Sequence, residues 1–403
     1  MSDGFIDRLK SDLAAQRQSG TYKRLRHLEG PPGGRVSIEG KGRVLLMSSN
    51  DYLGLAGHPD VIAAGTEALG RFGAGTASVR FISGTLTIHR ELEDALARFT
   101  GAEAALTYSS AWAANTGLIP AILRPGDAVI SDALNHASII DGCRLLAKGV
   151  TRLVYAHSDM DDLAAKLEAS ADANARVIIT DGVFSMEGDL ARLDRISELA
   201  KRHDAITVLD DAHGLGVLGA GGRGTAEHFG LQGRIDIITG TLGKALGGGA
   251  GGFVAGPRAV TETLIQTSRP HLFSNAIPAA TAATSLAALG LISRHPAMVK
   301  DLKDKVRHFR SGLEGLGITP IEGLSAIVPV IVGETARAIA LADALFDAGL
   351  FVTGFGFPVV PEGEARLRFQ ISNALGYEDI DTALAIIAKV WRAEPDAGAR
   401  TAG

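Results

Sequence analysis

The middle of the chain alternates between two hydrophobic periods. Short apolar runs at 104–108, 128–131, 152–155, 177–180, 206–209, 235–239 and 252–255 read as strands. Between them, apolar positions fall at helical spacing, as in Leu92, Leu96 and Phe99, or Ile196, Leu199 and Ala200. Strands that alternate with helices predict an α/β fold, a large and mostly parallel seven-stranded sheet with helices on its faces. From about Leu289 the pattern changes to long amphipathic helices and a few strands. The run 327–332 contains Pro329, whose missing N–H suits an edge strand. A helix over 337–348 is closed by Gly349, and Leu384, Ile387 and Trp391 mark the apolar face of a last helix. The expected organisation is an N-terminal segment (1–49), a large α/β domain (50–288) and a small C-terminal α+β domain (289–403) that the N-terminal segment joins. The tail 396–403 is small and polar, as a frayed end is.

Composition narrows the function. With 403 residues, 46% hydrophobic and 21% charged, the chain is long enough to bury a large core. A net charge of −5 with no basic tract argues against a nucleic-acid binder. Cys143 is the sole cysteine, so no disulfide within the chain and no thiolate cluster is expected, and a reducing compartment is the simplest home. The first residues lack the apolar core of a signal peptide, and the apolar stretch 276–292 is interrupted by Pro278, Thr281, Thr284 and Ser285. A cytoplasmic protein without a membrane partner is expected.

Four loops, each after a predicted strand, carry polar residues where α/β sheets bind ligands. In the first, Ser109, Ser110, Ala111 and Trp112 open a helical pattern, whose first N–H groups can hold a phosphate; a plain serine cap is the alternative. In the second, His136 can cover a planar cofactor or move substrate protons, or be a hydrogen-bonded structural group. In the third, Asp210-Asp211-Ala212-His213-Gly214, Asp210 is placed to keep a pyridine nitrogen protonated, and His213 to bond a phenolic oxygen. A metal ranks lower, since no second histidine or cysteine stands at ligand spacing, and Asp211 reads as a turn or cap. The fourth holds Lys244 among glycines at the end of a buried strand. A partly desolvated amine there suits Schiff-base chemistry with a carbonyl such as pyridoxal phosphate, with Thr241 adding a hydroxyl. Taken alone, a lysine in a Gly-rich loop is more often part of a turn. Two further segments contribute Ser185, and Arg366 with Arg368, two apart on a strand, one of which can clamp a carboxylate; two solvated arginines are the alternative.

These residues, in this order, resemble the α-oxoamine synthases, a family of pyridoxal-phosphate enzymes, from about residue 5 to 392. The resemblance rests on SDALNHASIIDG (131–142), TDGVFSM (180–186), the Asp210–Gly214 motif and IITGTLGKALGG (237–248), with SRPHLFSN (268–275) pointing to the branch that acetylates glycine. It implies a fold-type I aminotransferase-like homodimer with shared active sites and pyridoxal 5'-phosphate as cofactor. Lys244 would form the covalent link, Asp210 meet the ring nitrogen, His213 the phenolic oxygen, and His136 stack on the ring. Ser110, Ala111, Trp112 and Thr241 would bind the phosphate, aided from the other subunit by Ser274 and Asn275, while Ser185 contacts the cofactor. Asn50, His136 and Arg368 would hold the amino acid.

The implied reaction joins glycine to acetyl-CoA, giving 2-amino-3-oxobutanoate and CoA. The alternative within the family is a longer acyl-CoA condensed with glycine or alanine, with loss of the carboxylate. Two stretches depart from the acetylating branch. Residues 20–26 (GTYKRLR) look more like relatives that take a longer acyl chain, and SNALG at 372–376 replaces the Ala-Ala-His-Thr usual after Arg368.

Overall fold

The computed structural model describes residues 3–393, so the tail 396–403 lies outside the described residues. The chain forms two compact units. One holds the described residues up to Ser49, Met186–Gly188 and those from Asp304 on; the other is Asn50–Ser185 with Asp189–Lys303.

The chain begins with helix α1 (Asp3–Gln18) and strands β1 (Arg35–Ile38) and β2 (Gly42–Leu46). The larger unit follows with α2 (Pro59–Phe72), α3 (Thr87–Thr100), β3 (Ala104–Tyr108), α4 (Ala111–Ile122), β4 (Ala128–Asp132), α5 (Ala137–Arg144), β5 (Thr151–Tyr155) and α6 (Met160–Ala169). It continues through β6 (Arg176–Asp181), α7 (Leu193–Arg202), β7 (Ile206–Asp210), α8 (Thr225–His228), β8 (Ile237–Thr241), β9 (Gly252–Gly256), α9 (Arg258–Thr267), α10 (Arg269–Leu272) and α11 (Ala279–Arg294). Helix α12 (Ala297–Gly315) leads on to β10 (Ile327–Gly333), α13 (Thr335–Asp347), β11 (Leu350–Phe351), β12 (Thr353–Phe355), β13 (Ala365–Gln370) and α14 (Tyr377–Arg392).

The seven strands of the larger unit form one sheet in the order β3-β9-β8-β7-β6-β4-β5. Strand β9 runs antiparallel to β3 and β8, and the remaining pairs are parallel. Side chains alternate between the two faces, as the strand period requires. Val129, Val177, Ile179, Val208 and Ile237 pack with Leu118, Ile119 and Leu264 of α4 and α9. On the other face Ile130 and Ile178 pack with Leu163, Leu167, Ile196 and Leu199 of α6 and α7. Burial on both faces is why these strands read as continuous apolar runs.

The expected change of domain at Leu289 falls inside α11, and the division lies at Lys303 instead. Helix α11 packs on α2 and α3, and its small residues Ala279, Ala282, Ala283 and Ala288 are buried there, so it belongs to the larger unit.

In the smaller unit β1 and β2 form an antiparallel pair that β11 extends in parallel, and β10, β13 and β12 form an antiparallel sheet. Pro329 lies on β10, an edge strand, opposite Arg368. Helix α13 runs two residues earlier than the expected 337–348 at its start, and Gly349 follows it with φ +94°, a left-handed turn that a side chain would strain.

Candidate active site

The sheet places the ends of β3, β4, β6, β7 and β8 along one edge, and the polar loops begin there. Strand β8 spans 237–241 rather than 235–239. Asp236 leaves the strand to cap β7, its carboxylate accepting from Thr207 N (2.8 Å) and Oγ1 (2.7 Å), while Thr239, Gly240 and Thr241 pair with β9. Thr241 therefore ends the strand. Its hydroxyl donates to Gly251 O (3.3 Å) and accepts from Gly243 N (3.1 Å), closing the turn that carries Lys244.

Lys244 Nζ lies 2.8 Å from His213 Nε2, and His213 Nδ1 lies 2.7 Å from Tyr52 Oη, which donates to Asn50 Oδ1 at 3.3 Å. Tyr52 is fully buried. On the adjoining strand Asp210 is buried at the end of β7, accepting from Ala212 N (3.0 Å) through Oδ1 and from Asn115 Nδ2 (2.6 Å) through Oδ2. Asn115, on the second turn of α4, also donates to Ser138 Oγ (2.9 Å). Asp181 stands opposite Asp210 in register and accepts from His136 N (2.8 Å). Burial, with the Asp210 charge added to it, raises the Asp181 carboxyl well above the carboxylate range, against the pull of the His136 N–H.

His136 caps α5, its Nδ1 accepting from Ser138 N (3.2 Å) and meeting Ser138 Oγ at 2.7 Å. Burial lowers its pKa, opposed by Asp210 and reinforced by Lys244, so its ring is neutral near pH 7. The ring meets Trp112 edge-on, with centroids 6.0 Å apart. The loop before it is braced from β4. Asp132 accepts from Leu134 N (2.8 Å) and Ser158 N (3.0 Å), and His157 bridges Asp132 and Asp189 at 3.0 Å on each side, edge-on to Phe184.

Ser110 caps α4, its hydroxyl accepting from Ala113 N (3.0 Å), and the N–H groups of Ala111 and Trp112 in the first turn have no acceptor within the helix. Gly252 lies against this helix start: a Cβ on it would sit 2.4 Å from Ala111 N. Ser185 is the last residue of the unit's first stretch. Ser274 and Asn275 line a different, small cavity of about 10 Å³ with Arg80, Tyr108, Ser109 and His271. Arg366 and Arg368 belong to the smaller unit and are not two solvated side chains. Arg366 is buried, paired with Glu187 (3.0 Å) and Glu364 (3.3 Å), while Arg368 lies over the Phe355 ring at 4.7 Å. Of the departing stretch 20–26, Arg26 pairs with Asp343 (2.9 Å) and covers the Phe346 ring at 3.4 Å. Ser372, in the other, is buried and accepts from Ala374 N (3.1 Å).

Tyr52, Asn115 and Asp181 escaped sequence reading, because their partners are brought together only by the sheet. An asparagine in an otherwise apolar helix start was the available signal for Asn115. Asp211, read as a turn or cap residue, is a buried organiser. Its carboxyl accepts from Thr225 Oγ1 (2.6 Å) and N (2.8 Å), and Cβ atoms on Gly182, Gly214 or Gly224 would strike it.

A lysine in the turn after one strand and a buried carboxylate at the end of its neighbour, beside a capped helix start, are the arrangement of fold-type I enzymes, the aminotransferase-like class. The model of the family "aminotransferase class I and II" matches residues 42–387. The chain belongs to that family, in its α-oxoamine synthase branch. It is 46% identical to the 8-amino-7-oxononanoate synthase of Thermoanaerobacter pseudethanolicus over 96% of this chain and 97% of that one. It is 44% identical to the mitochondrial 2-amino-3-ketobutyrate coenzyme A ligase of Bos taurus over 95% and 91%. The high-resolution structure of SPT with its PLP internal aldimine superposes with a TM-score of 0.91 at 32% identity, covering 98% of this chain and 99% of that one.

The residues present fit pyridoxal phosphate. The helix start that Gly252 leaves open offers phosphate donors, Asp210 is fixed at both oxygens, and Lys244 lies in the turn after the adjoining strand β8. Among the described residues no helix is long and apolar enough to cross a membrane.

Proposed function

We propose that the protein uses pyridoxal 5'-phosphate to condense glycine with acetyl-CoA, releasing CoA and 2-amino-3-oxobutanoate. The observation that carries this reading is Lys244 Nζ, in the turn after β8, held 2.8 Å from His213 Nε2 in the loop that follows Asp210. When bound, the cofactor supplies a carbonyl for the amine and a ring that draws electrons from the amino acid's Cα. Lys244 would hold the cofactor, and its amine would take the glycine Cα proton. Asp210, which accepts from Asn115 Nδ2 and Ala212 N, would hold the ring nitrogen. His136, whose pKa burial lowers, would cover the ring without adding charge to it. The N–H groups of Ala111 and Trp112, with Ser110 and Thr241, receive the phosphate. Ser185 would contact the cofactor, and Asn50 and His136 would bind the amino acid. The new C–C bond joins the glycine Cα to the thioester carbonyl carbon as the C–S bond breaks and CoA leaves.

The 8-amino-7-oxononanoate synthase relative supports a second reading, in which a longer acyl-CoA is condensed with glycine or alanine and the carboxylate is lost. CoA release measured with acetyl-CoA and with pimeloyl-CoA, each with glycine and with alanine, separates the two. Turnover with pimeloyl-CoA but none with acetyl-CoA and glycine sinks the first reading. Loss of release and of the visible absorbance in Lys244→Ala checks the cofactor assignment.

The working form proposed is a homodimer in which Ser274 and Asn275 serve the partner's phosphate site. Asn275 bridges to Val79, and close to this bridge Phe81, Ile82 and Phe273 are 60%, 69% and 68% exposed, apolar surface that a second copy would cover. Light scattering tests the mass, and restored activity on mixing Lys244→Ala with Asn275→Ala chains tests the sharing. A cytoplasmic location suits Cys143, whose thiol burial pushes up to about 11, and cell fractionation checks it.

A further inference from the structure

Tyr52 has no part in the roles assigned above, yet it is fully buried and its hydroxyl stands between two site residues. A tyrosine hydroxyl has one hydrogen. That hydrogen goes to Asn50 Oδ1, a carbonyl oxygen that can only accept, so Tyr52 Oη accepts from His213 Nδ1–H. The other ring nitrogen then turns its lone pair toward Lys244 Nζ, 2.8 Å away. The tilt between the Tyr52 and His213 rings, 55° with centroids 6.0 Å apart, leaves that line of contact open.

We propose that Tyr52 is a positioning residue that holds His213 in the Nδ1–H tautomer, making Nε2 the acceptor that takes a proton from the Lys244 ammonium and primes the amine to capture the cofactor carbonyl. The proton moves from Nζ to Nε2. The Nζ lone pair forms the C–N bond, and the carbonyl oxygen leaves as water with protons returned from Nε2 and from the amine itself. This inference rests on the cofactor reading and adds a loading function to His213, distinct from its bond to the phenolic oxygen.

Other titratable groups stand near the relay. The Lys244 charge also acts on His136 and Asp181, both of which feel Asp210. On the element of Tyr52, Asp51 spends its carboxyl on Leu55 N (2.9 Å) and Ala56 N (3.1 Å); on that of His213, Asp211 is bound to Thr225. His136 Nδ1 is engaged by Ser138.

Cofactor-free enzyme is mixed with pyridoxal phosphate at about pH 7 and at about pH 9.5, following the visible band, with borohydride trapping and peptide mass to confirm attachment at Lys244. For Tyr52→Phe, capture is expected to be about ten-fold slower at the lower pH and within about two-fold of the unsubstituted chain at the higher, where hydroxide removes the proton instead. Equal slowing at both pH values, or none at either, overturns the proposal. Should Tyr52→Phe fail to give the native circular dichroism, Asn50→Leu, which removes the terminal acceptor and lets the tautomer reverse, carries the same expectation and the same refutation. Failure of the unsubstituted chain to capture at either pH refutes the cofactor reading itself, so the two failures are told apart.

Discussion

Replacing His157 by glutamine tests the brace beneath the His136 loop. Burial opposes charge on this imidazole, but the hydrogen bonds to Asp132 and Asp189, and then their charges, carry its pKa from 6.5 up to about 10. A group whose folded pKa lies above its unfolded value stabilises the fold fully below the unfolded value, and the contribution disappears as pH rises through the folded one. A rise from 6.5 to about 10 corresponds to roughly 5 kcal/mol at most, at about 1.36 kcal/mol per unit. With the side chain 23% exposed, solvent screening reduces this to about 2–4 kcal/mol. Glutamine can donate to one carboxylate but carries no charge, so the substitution removes the pH-dependent part. Urea unfolding of both chains, followed by far-ultraviolet circular dichroism, should place the variant about 2–4 kcal/mol below the parent near pH 6. By about pH 9.5 the gap should have shrunk to under about 1 kcal/mol. A gap that stays constant over this range, or widens as pH rises, would mean that His157 is not held as an imidazolium between the two aspartates.

Gly252→Ala should lower pyridoxal phosphate affinity by about ten-fold or more, because the new Cβ would sit 2.4 Å from Ala111 N and push back the helix start; equilibrium titration of the visible band checks it. Asn115→Leu strips a donor from Asp210 Oδ2 and should cost about 1–3 kcal/mol of stability, with a shifted absorbance of the bound cofactor, both read on purified protein. Burial raises Asp211 to about 7 against its bonds to Thr225, so its contribution to stability is lost as pH rises from about 4 through about 7; Asp211→Asn should therefore flatten the decline in denaturation midpoint over that interval.

The larger unit was legible in sequence because strands buried on both faces leave unbroken apolar runs such as 177–180, and the loops after them contain the residues that chemistry requires. The offset at β8 had a local cause: the apolar run 235–239 includes Asp236, whose carboxylate instead caps the neighbouring strand. The pair Arg366 and Arg368 was ambiguous from spacing alone, since only the fold shows that Glu187 and Glu364 occupy the first of them. Tyr52 carried no readable signal of its role, and Asn115 only that of a polar residue in an apolar helix start, since each acts on a residue about a hundred or more positions away. The domain change at Leu289 was misplaced because α11 is rich in alanine, and small residues record close helix packing without revealing which helices are packed.

Strands β8 and β9 run antiparallel, so the Lys244 turn returns directly to its neighbouring strand, while the loops bearing Ser110 and His136 run on into helices. Both ends of the turn are fastened to one another at Thr241 Oγ1 and Leu242 N, each bonded to Gly251 O. With the role proposed for Lys244, this arrangement separates reactivity from selectivity: the amine rides on a short closed span anchored in the sheet, and substitutions or length changes in the helix-bound loops can reshape what is recognised without displacing it.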